Sequence, residues 1–315
     1  MKPLFITEDE VADLVTVEDA LHVVEEAFRG QAEGGATSHP RHRLRTDRVL
    51  LHMLAGAIPG YFGYKAYTTG AGKVRFNFFL FDSKTSELLA LMQADRLGQI
   101  RTGAATGVAT RLMANEDADV LTMFGAGWQA ESQLLAIAAV RKLRRVWIVN
   151  RRRERAEEFV ERMSSQVTAE LKIAASPEAA VRESAIVTTI TGSREPVLLG
   201  KWLQPGTHVN LAGGNMVLRR EADSETIMRA DRLVVDSTDQ ARTECGEFVS
   251  VFELGRRHWD EVVELKDVVV AGSLRKTPEE ITLFKSLGIG LEDVALGRLV
   301  YERAKEHNVG RPLDM

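Results

Sequence analysis

One cysteine, Cys245, stands in 315 residues, and that scarcity excludes both an internal disulfide and a cysteine-rich zinc site. A surplus of positive charge is lacking too. Lys and Arg number 41 against 45 Asp and Glu, a formal net charge of −4. That balance argues against a nucleic-acid partner held by a basic face and against a polybasic membrane anchor. No apolar run approaches the roughly 18 residues of a membrane span. The opening MKPLFITEDE is too acidic for a signal peptide, so a cytoplasmic protein is expected. Neither an internal repeat nor a low-complexity stretch is present. His22, His42, His52 and His208 are scattered without ligand spacing, so they read as structural and no metal site is expected. What remains is a globular composition, 44% hydrophobic and 27% charged, long enough for two domains at roughly 100–200 residues each.

The N-terminal third changes period part-way. Thr7 to Glu10 fits a capping box, and Thr16 opens a second helix whose stripe is Val17, Ala20, Leu21, Val24, Ala27 and Phe28, ended by Gly30, Gly34 and Gly35. Residues 41–91 are rich in β-formers bounded by turn residues, as in Val49–Leu54, Gly63–Tyr67 and Arg75–Phe81, and predict a sheet of hairpins. A small-residue helix is expected over Thr102–Met113. From Asp119 strands and helices alternate. VLTMF and VWIVN are strands, Gln129–Val140 and Glu154–Met163 helices, and Ile186–Ile190, His208–Leu211, Leu233–Asp236 and Val268–Val270 further apolar runs. Such alternation predicts a parallel sheet with helices on both faces. Leu291–His307 reads as an amphipathic helix with Val294, Ala295, Leu299 and Val300 inward, crossing back to the N-terminal part.

Gly125, Ala126, Gly127, Trp128, Gln129 and Ala130 form G-x-G-x-x-A between a strand and a helix. Gly125 makes the tight turn, Gly127 admits a pyrophosphate to the backbone, and Ala130 lets helix and strand pack closely. The helix N-terminus supplies free N–H groups and partial positive charge for phosphates. A dinucleotide cofactor is the expectation. The next strand ends in Asn150 and Arg151 where NAD sites usually carry an acid, so a 2′-phosphate is favoured, hence NADP(H) over NAD(H). Arg152 and Arg153 read as a solvated basic helix start.

A dinucleotide implies hydride chemistry, and the N-terminal part offers cations where the segments need none: Arg41 and Arg43, Lys65, and Arg101 at the head of a small-residue helix, placed to grip an anion. With the Pro-Arg near 40, Lys65, the Arg-Thr-Gly-Ala-Ala run from 101, the glycine loop, LAGGNMVLRREAD (211–223) and EITLFKSLGIGLEDVALG (280–297), the chain resembles the ornithine cyclodeaminase/μ-crystallin family over nearly its whole length. The resemblance implies an α/β architecture. A Rossmann dinucleotide-binding domain would span 115–292, and an N-terminal α+β domain for substrate binding and homodimerisation would span 1–114, joined by 293–315.

It also implies action on the Cα–N bond of a small amino or imino acid. Arg41 and Arg101 would clamp the substrate carboxylate, with Arg43 competing for the first role because strand alternation puts it on the same face. Lys65 would contact the carboxylate or donate a proton, its pKa lowered by the guanidiniums. Thr102 and Gly103 would touch cofactor phosphates, Thr189 to Thr191 would border the nicotinamide, and Lys285 and Ser286 would close over it. Cyclodeaminases of the family carry an Asp where this chain has Asn215, and an amide is no carboxylate base. Asn215 therefore favours net redox chemistry, an NAD(P)H-dependent imino-acid reductase or amino-acid dehydrogenase. A cyclodeaminase retaining bound NAD and a non-catalytic crystallin-like ligand binder are the alternatives.

Overall fold

A computed structural model describes residues 2–70, 72 and 74–314. The chain forms two compact units: one runs to Arg101 and resumes at Gly288, the other spans Thr102–Leu287. These boundaries differ from the expected 114/115 and 292/293. The first falls inside a helix, because the Arg101 side chain is anchored within its own unit, on Glu292 and Asp293, while Gly103 packs backbone to backbone on Ser132.

In chain order the elements begin with β1 (Leu4–Ile6), α1 (Glu8–Leu14), α2 (Val17–Ala32), β2 (Thr37–Ser38), β3 (His42–Arg45) and β4 (Leu50–Ile58). β5 (Tyr61–Thr69), β6 (Phe76–Asp82), β7 (Leu88–Gln93) and α3 (Asp95–Met113) follow. The second unit adds β8 (Val120–Phe124), α4 (Trp128–Val140), β9 (Arg145–Val149), α5 (Arg153–Met163), β10 (Glu170–Ile173), α6 (Pro177–Glu183), β11 (Ile186–Thr189) and β12 (His208–Leu211). Then come α7 (Ser224–Arg229), β13 (Arg232–Val235), α8 (Thr238–Glu244), α9 (Gly246–Phe252), β14 (Val262–Glu264), α10 (Leu265–Ala271) and β15 (Thr282–Lys285). The chain ends with α11 (Gly290–His307) and β16 (Arg311–Pro312).

The first unit is a sheet ordered β16-β1-β7-β6-β5-β4-β2, with β3 also on β4. The two capping boxes form as the sequence predicts at Thr7–Glu10, and again at Thr16–Asp19. Gly30 lies within α2, whose end comes at Ala32. Alternation in β4–β7 gives the sheet two faces. His52, Leu54, Lys65, Phe78, Leu80 and Met92 are buried on one. α11 covers that face: Gly297 lies against the Phe78 ring, and a Cβ on Gly56 would meet the Leu291 nitrogen at 2.6 Å. α11 thus belongs with the N-terminal part, with Leu296 buried and Leu299 only half-buried. The opposite face carries Met53, Phe62, Tyr64, Phe79, Phe81 and Leu91, all partly exposed.

The second unit is a wholly parallel sheet ordered β10-β9-β8-β11-β12-β15-β13-β14. Neighbouring residues such as Ile186 and Val187 point to opposite faces and join separate apolar clusters, so helices cover both sides. The run Val268–Val270 lies in α10, and the strand at this point of the sheet is β15, four residues long with only Leu283 and Phe284 apolar. His208 is structural, as the sequence suggests: fully buried, it bonds Thr282 Oγ1 (2.9 Å) and Asn210 Oδ1 (3.0 Å), and burial, then Arg275, holds its pKa down to about 3. Among the described residues no helix is long and apolar enough to cross a membrane. Nor, among them, could any group of three or more His, Cys, Asp or Glu hold a metal ion.

Candidate active site

In the parallel sheet the strand register aligns Val149, Phe124, Thr189, Leu211, Lys285 and Val235 in one row. The residues just beyond it are Asn150, Gly125, Ile190, Ala212 and Ser286, at the carboxyl ends of the strands, where open α/β sheets take their ligands. Gly125 adopts φ +110°, a left-handed conformation that a side chain resists, and a Cβ there would strike the Ile190 carbonyl. Gly127 is the N-cap of α4, and an ideal Cβ on it has nothing within 4 Å, so its backbone faces open space. The loop borders a cavity of about 680 Å³, flanked by Asn150, Arg151, Arg152 and Arg155 on one side and Ile190–Ser193 on the other.

The predicted cofactor residues divide accordingly. Gly125, Ala126, Gly127, Asn150, Arg151 and Thr191 line the cavity. Trp128 is half-exposed at the first turn of α4, with Gln129 beside it, while Ala130 is fully buried and serves packing. Thr102 accepts a bond at its carbonyl from the Gln133 amide (3.2 Å). Thr189 Oγ1 and Ser286 Oγ are buried without a hydrogen-bond partner, two orphaned hydroxyls at the row of strand ends. A glycine cradle opening on a free helix N-terminus, and unspent hydroxyls next to it, fit a dinucleotide. Arg152 is exposed, as a solvated helix start implies, and also lines the cavity, while Arg153 pairs with Glu157 (2.9 Å). One reading changes. Lys285 does not lie open over a ligand: it is fully buried, 3.6 Å from Glu247 Oε2. Burial opposes its charge, but Glu247, Glu221 and Asp236 outweigh that and raise its pKa.

A residue the sequence did not single out organises this end of the sheet. Glu221 is fully buried, and its carboxylate accepts from Thr191 N–H (2.6 Å), Thr191 hydroxyl (2.8 Å) and Gly213 N–H (2.7 Å). It thereby ties the cavity wall at Thr191 to the Gly213-Gly214-Asn215 turn. Burial pushes its pKa up, opposed first by Lys285. Cys245 is buried too, its thiol pushed up by burial and by Glu247, so it is no nucleophile.

The first unit holds a second polar centre. Lys65 projects from β5 onto the covered face, passing Gly98 of α3, and is only 2% exposed. Its Nζ donates to Asp293 Oδ1 at 2.6 Å. Arg101, 6% exposed, donates from Nε to the same oxygen (2.9 Å) and from Nη1 to Glu292 Oε2 (2.6 Å). Arg41 donates to the Tyr67 hydroxyl and to the Gly288 carbonyl, both at 3.0 Å. Gly288 has φ +73°, and a Cβ there would invade the Arg101 guanidinium, so glycine is required on both counts. Burial, then Arg101, lowers the Lys65 pKa to about 8, with Asp293 opposing and Arg41 assisting.

Of the two competing arginines, Arg41 is the one whose charge bears on Lys65. Arg43 donates instead to His52 Nδ1 (3.2 Å), and His52 stacks on Tyr67 with centroids 4.4 Å apart. Burial, then Arg43 and Arg41, holds the His52 pKa near 4, so the ring is neutral at pH 7. With Nδ1 accepting, Nε2 carries the proton toward Thr69 Oγ1 (2.9 Å). Lys65, Arg41 and Arg101 are thus brought together, and Glu292, Asp293, Tyr67 and His52 join them unforeseen. The signal for the acids was present as an adjacent Glu-Asp pair after Gly-Ile-Gly, but first-turn acids are ordinary helix stabilisers.

The profile of the Ornithine cyclodeaminase/mu-crystallin family matches residues 1–308. The chain belongs to this family. It is similar to the alanine dehydrogenase of Archaeoglobus fulgidus, 33% identical over 320 residues and covering 98% of each chain. Among solved structures in the family it resembles Delta(1)-pyrroline-2-carboxylate reductase of Thermococcus litoralis in complex with NADH and L-proline. There the identity is 31% and the TM-score 0.93, over 98% of this chain and 100% of that one. It likewise resembles an archaeal alanine dehydrogenase dimer with bound NAD (30% identity, TM-score 0.94, all of both chains).

Proposed function

We propose that this protein is an NAD(P)H-dependent oxidoreductase of the C–N bond in a small amino or imino acid, working as an imino-acid reductase or, in reverse, as an amino-acid dehydrogenase. The observation that carries the reading is the cluster of buried Lys65 and Arg101 with half-buried Arg41: an ammonium poised near neutrality beside two guanidiniums that suit a carboxylate. The bound nicotinamide supplies the hydride that reduces C=N to CH–NH. Arg41 and Arg101 hold the carboxylate next to the imine carbon. Lys65 holds a proton at Nζ for the substrate nitrogen. Asn215, an amide, is no carboxylate base, which disfavours deamination.

Thr191 and the glycine loop hold the cofactor, with Thr189 and Ser286 supplying hydroxyls. NADPH is preferred over NADH, because Arg151, Arg152 and Arg155 rim the cavity and none of them has a salt bridge or side-chain hydrogen bond among the described residues. The active species is a homodimer formed through the sheet face that carries Phe62, Tyr64, Phe79 and Phe81, where rings stack across strands (Phe62–Phe81, 5.1 Å; Tyr64–Phe79, 4.8 Å) and stay part-exposed. Nicotinamide absorbance with pyrroline-2-carboxylate, piperideine-2-carboxylate, and pyruvate plus ammonia or methylamine tests the reading. Oxidation of NADPH with any of them supports it. Ammonia release from ornithine without net oxidation would replace it with the cyclodeaminase activity.

A further inference from the structure

The first turn of α11 is where the cation cluster is held. Gly56 and Gly290 bring β4 and the helix start together backbone to backbone, so this turn has a fixed seat. Glu292 and Asp293 on it are both fully buried. Buried carboxylates are costly unless paired, and here each is paired with a proposed substrate-binding cation, 191 to 228 residues away in sequence. The helix N-terminus adds partial positive charge that favours the two anions. Asp293 spends Oδ1 on both Lys65 and Arg101, while its Oδ2 has no hydrogen-bond partner and is equally buried.

Lys65 and Arg101 share Asp293 Oδ1, Arg101 also meets Glu292, and Arg41 adds positive charge that bears on Lys65. Without Asp293 the two neighbouring guanidiniums and the dry surroundings would all act to strip the proton from Lys65. The other groups facing Lys65 do not replace it: His52 is neutral, and the Tyr67 hydroxyl accepts from Arg41.

We infer that Asp293 is a positioning residue for the reaction, fixing the Lys65 ammonium in a single direction and keeping it charged until the substrate nitrogen takes its proton, while Glu292 does the same for Arg101. The inference rests on the reductase reading. In the step, the Lys65 N–H bond breaks and a bond forms from that proton to the imine nitrogen, while the imine carbon takes the hydride that a bound nicotinamide would supply; water then reprotonates the neutral Lys65 amine. Asp293 remains a carboxylate throughout.

The test is the pH profile of kcat/KM for imine reduction by D293N, with D293E beside it. In the wild type, activity falls as pH rises through about 8, where Lys65 loses its proton. D293N moves that limb acidward by about 1–3 pH units. It also lowers kcat/KM about 10²-fold at neutral pH, with the KM for NADPH unchanged. D293E keeps the charge and so keeps the limb, at reduced kcat. A D293N limb coincident with the wild type, under a uniform drop in rate, would overturn the inference. Should D293N fail to fold, D293E decides: a limb displaced like that of a neutral variant, or an undiminished kcat, overturns it. If the wild type reduces none of the imino acids, the functional reading falls. NMR titration of the ¹⁵N-labelled Lys65 amine in wild type and D293N then still decides the Asp293–Lys65 link, since an unchanged midpoint refutes it.

Discussion

Replacing Lys65 by methionine separates a side chain kept for chemistry from one kept for stability. The substitution retains an unbranched apolar stem in a buried slot and deletes the ammonium. Lys65 falls from the ordinary lysine value of 10.5 to about 8, which corresponds to roughly 3 kcal/mol of penalty for carrying the charge in the folded state. Because the folded value lies below the unfolded one, the unfolded chain binds the proton more tightly. The penalty is therefore complete below pH 8 and disappears as pH climbs through 10.5. Asp293 is not stranded by the change, since Arg101 Nε still donates to it at 2.9 Å. K65M is therefore expected to be as stable as the wild type at pH 7, or up to about 3 kcal/mol more stable. That margin narrows between pH 8 and 10.5. Imine reduction falls by about 10²–10⁴-fold at the same time, the range for loss of a general acid. Chemical denaturation of both proteins at pH 7 and pH 10, with steady-state rates alongside, measures all three. A loss of about 3–5 kcal/mol at pH 7, the usual result of breaking a buried pair, would refute the reasoning. So would a stability difference that does not change with pH.

Arg151→Ala should raise the KM for NADPH by about 10–100-fold, the worth of one hydrogen bond to a charged group, and leave that for NADH nearly unchanged. Equal effects on both cofactors, read from initial rates, would discard the 2′-phosphate assignment. Phe81→Asp puts a charge on the part-exposed aromatic face of the first unit; on the proposed assembly the wild type should sediment as a dimer and the variant as a single chain. Cys245, buried and with its thiol pKa raised, should ignore an aromatic disulfide reagent in the native state and react once after unfolding. Native reactivity on the time scale of mixing would contradict its placement.

The fold was legible where it depends on local pattern. The capping box at Thr7–Glu10, the alternation in β4–β6 and the strand–glycine–helix order at Val120–Val140 are statements about neighbours a few residues apart, and the structure follows them. Pattern failed where the same residues suit two environments. Val268–Val270 is apolar and β-branched, yet it lies in α10 with Val268 and Val269 buried and Val270 exposed, while Thr282–Lys285 ends in a lysine and is a fully buried strand. The first turns of α3, from Asp95 to Arg101, carry three charges and a glycine and give no stripe, so the helix was expected to begin at Thr102. In each case tertiary burial overrides local preference.

The candidate site divides along the same line. Its glycine loop and its cations could be named from sequence because each stands out within its own segment. What holds the cations could not, since the partner of Lys65 lies 228 residues away, on a helix whose acidic first turn looks like routine dipole compensation. Burial is what changes that meaning. An exposed Glu-Asp pair at a helix start contributes a few tenths of a kcal/mol. The same pair at zero exposure must be matched by cations or it destabilises the fold. Glu292 and Asp293 therefore make Lys65 and Arg101 structurally tolerable in a dry site, and Lys65 and Arg101 do the same for the acids. Neither pair could be removed singly without leaving charge buried, whereas an apolar replacement of all four would be tolerated by packing alone.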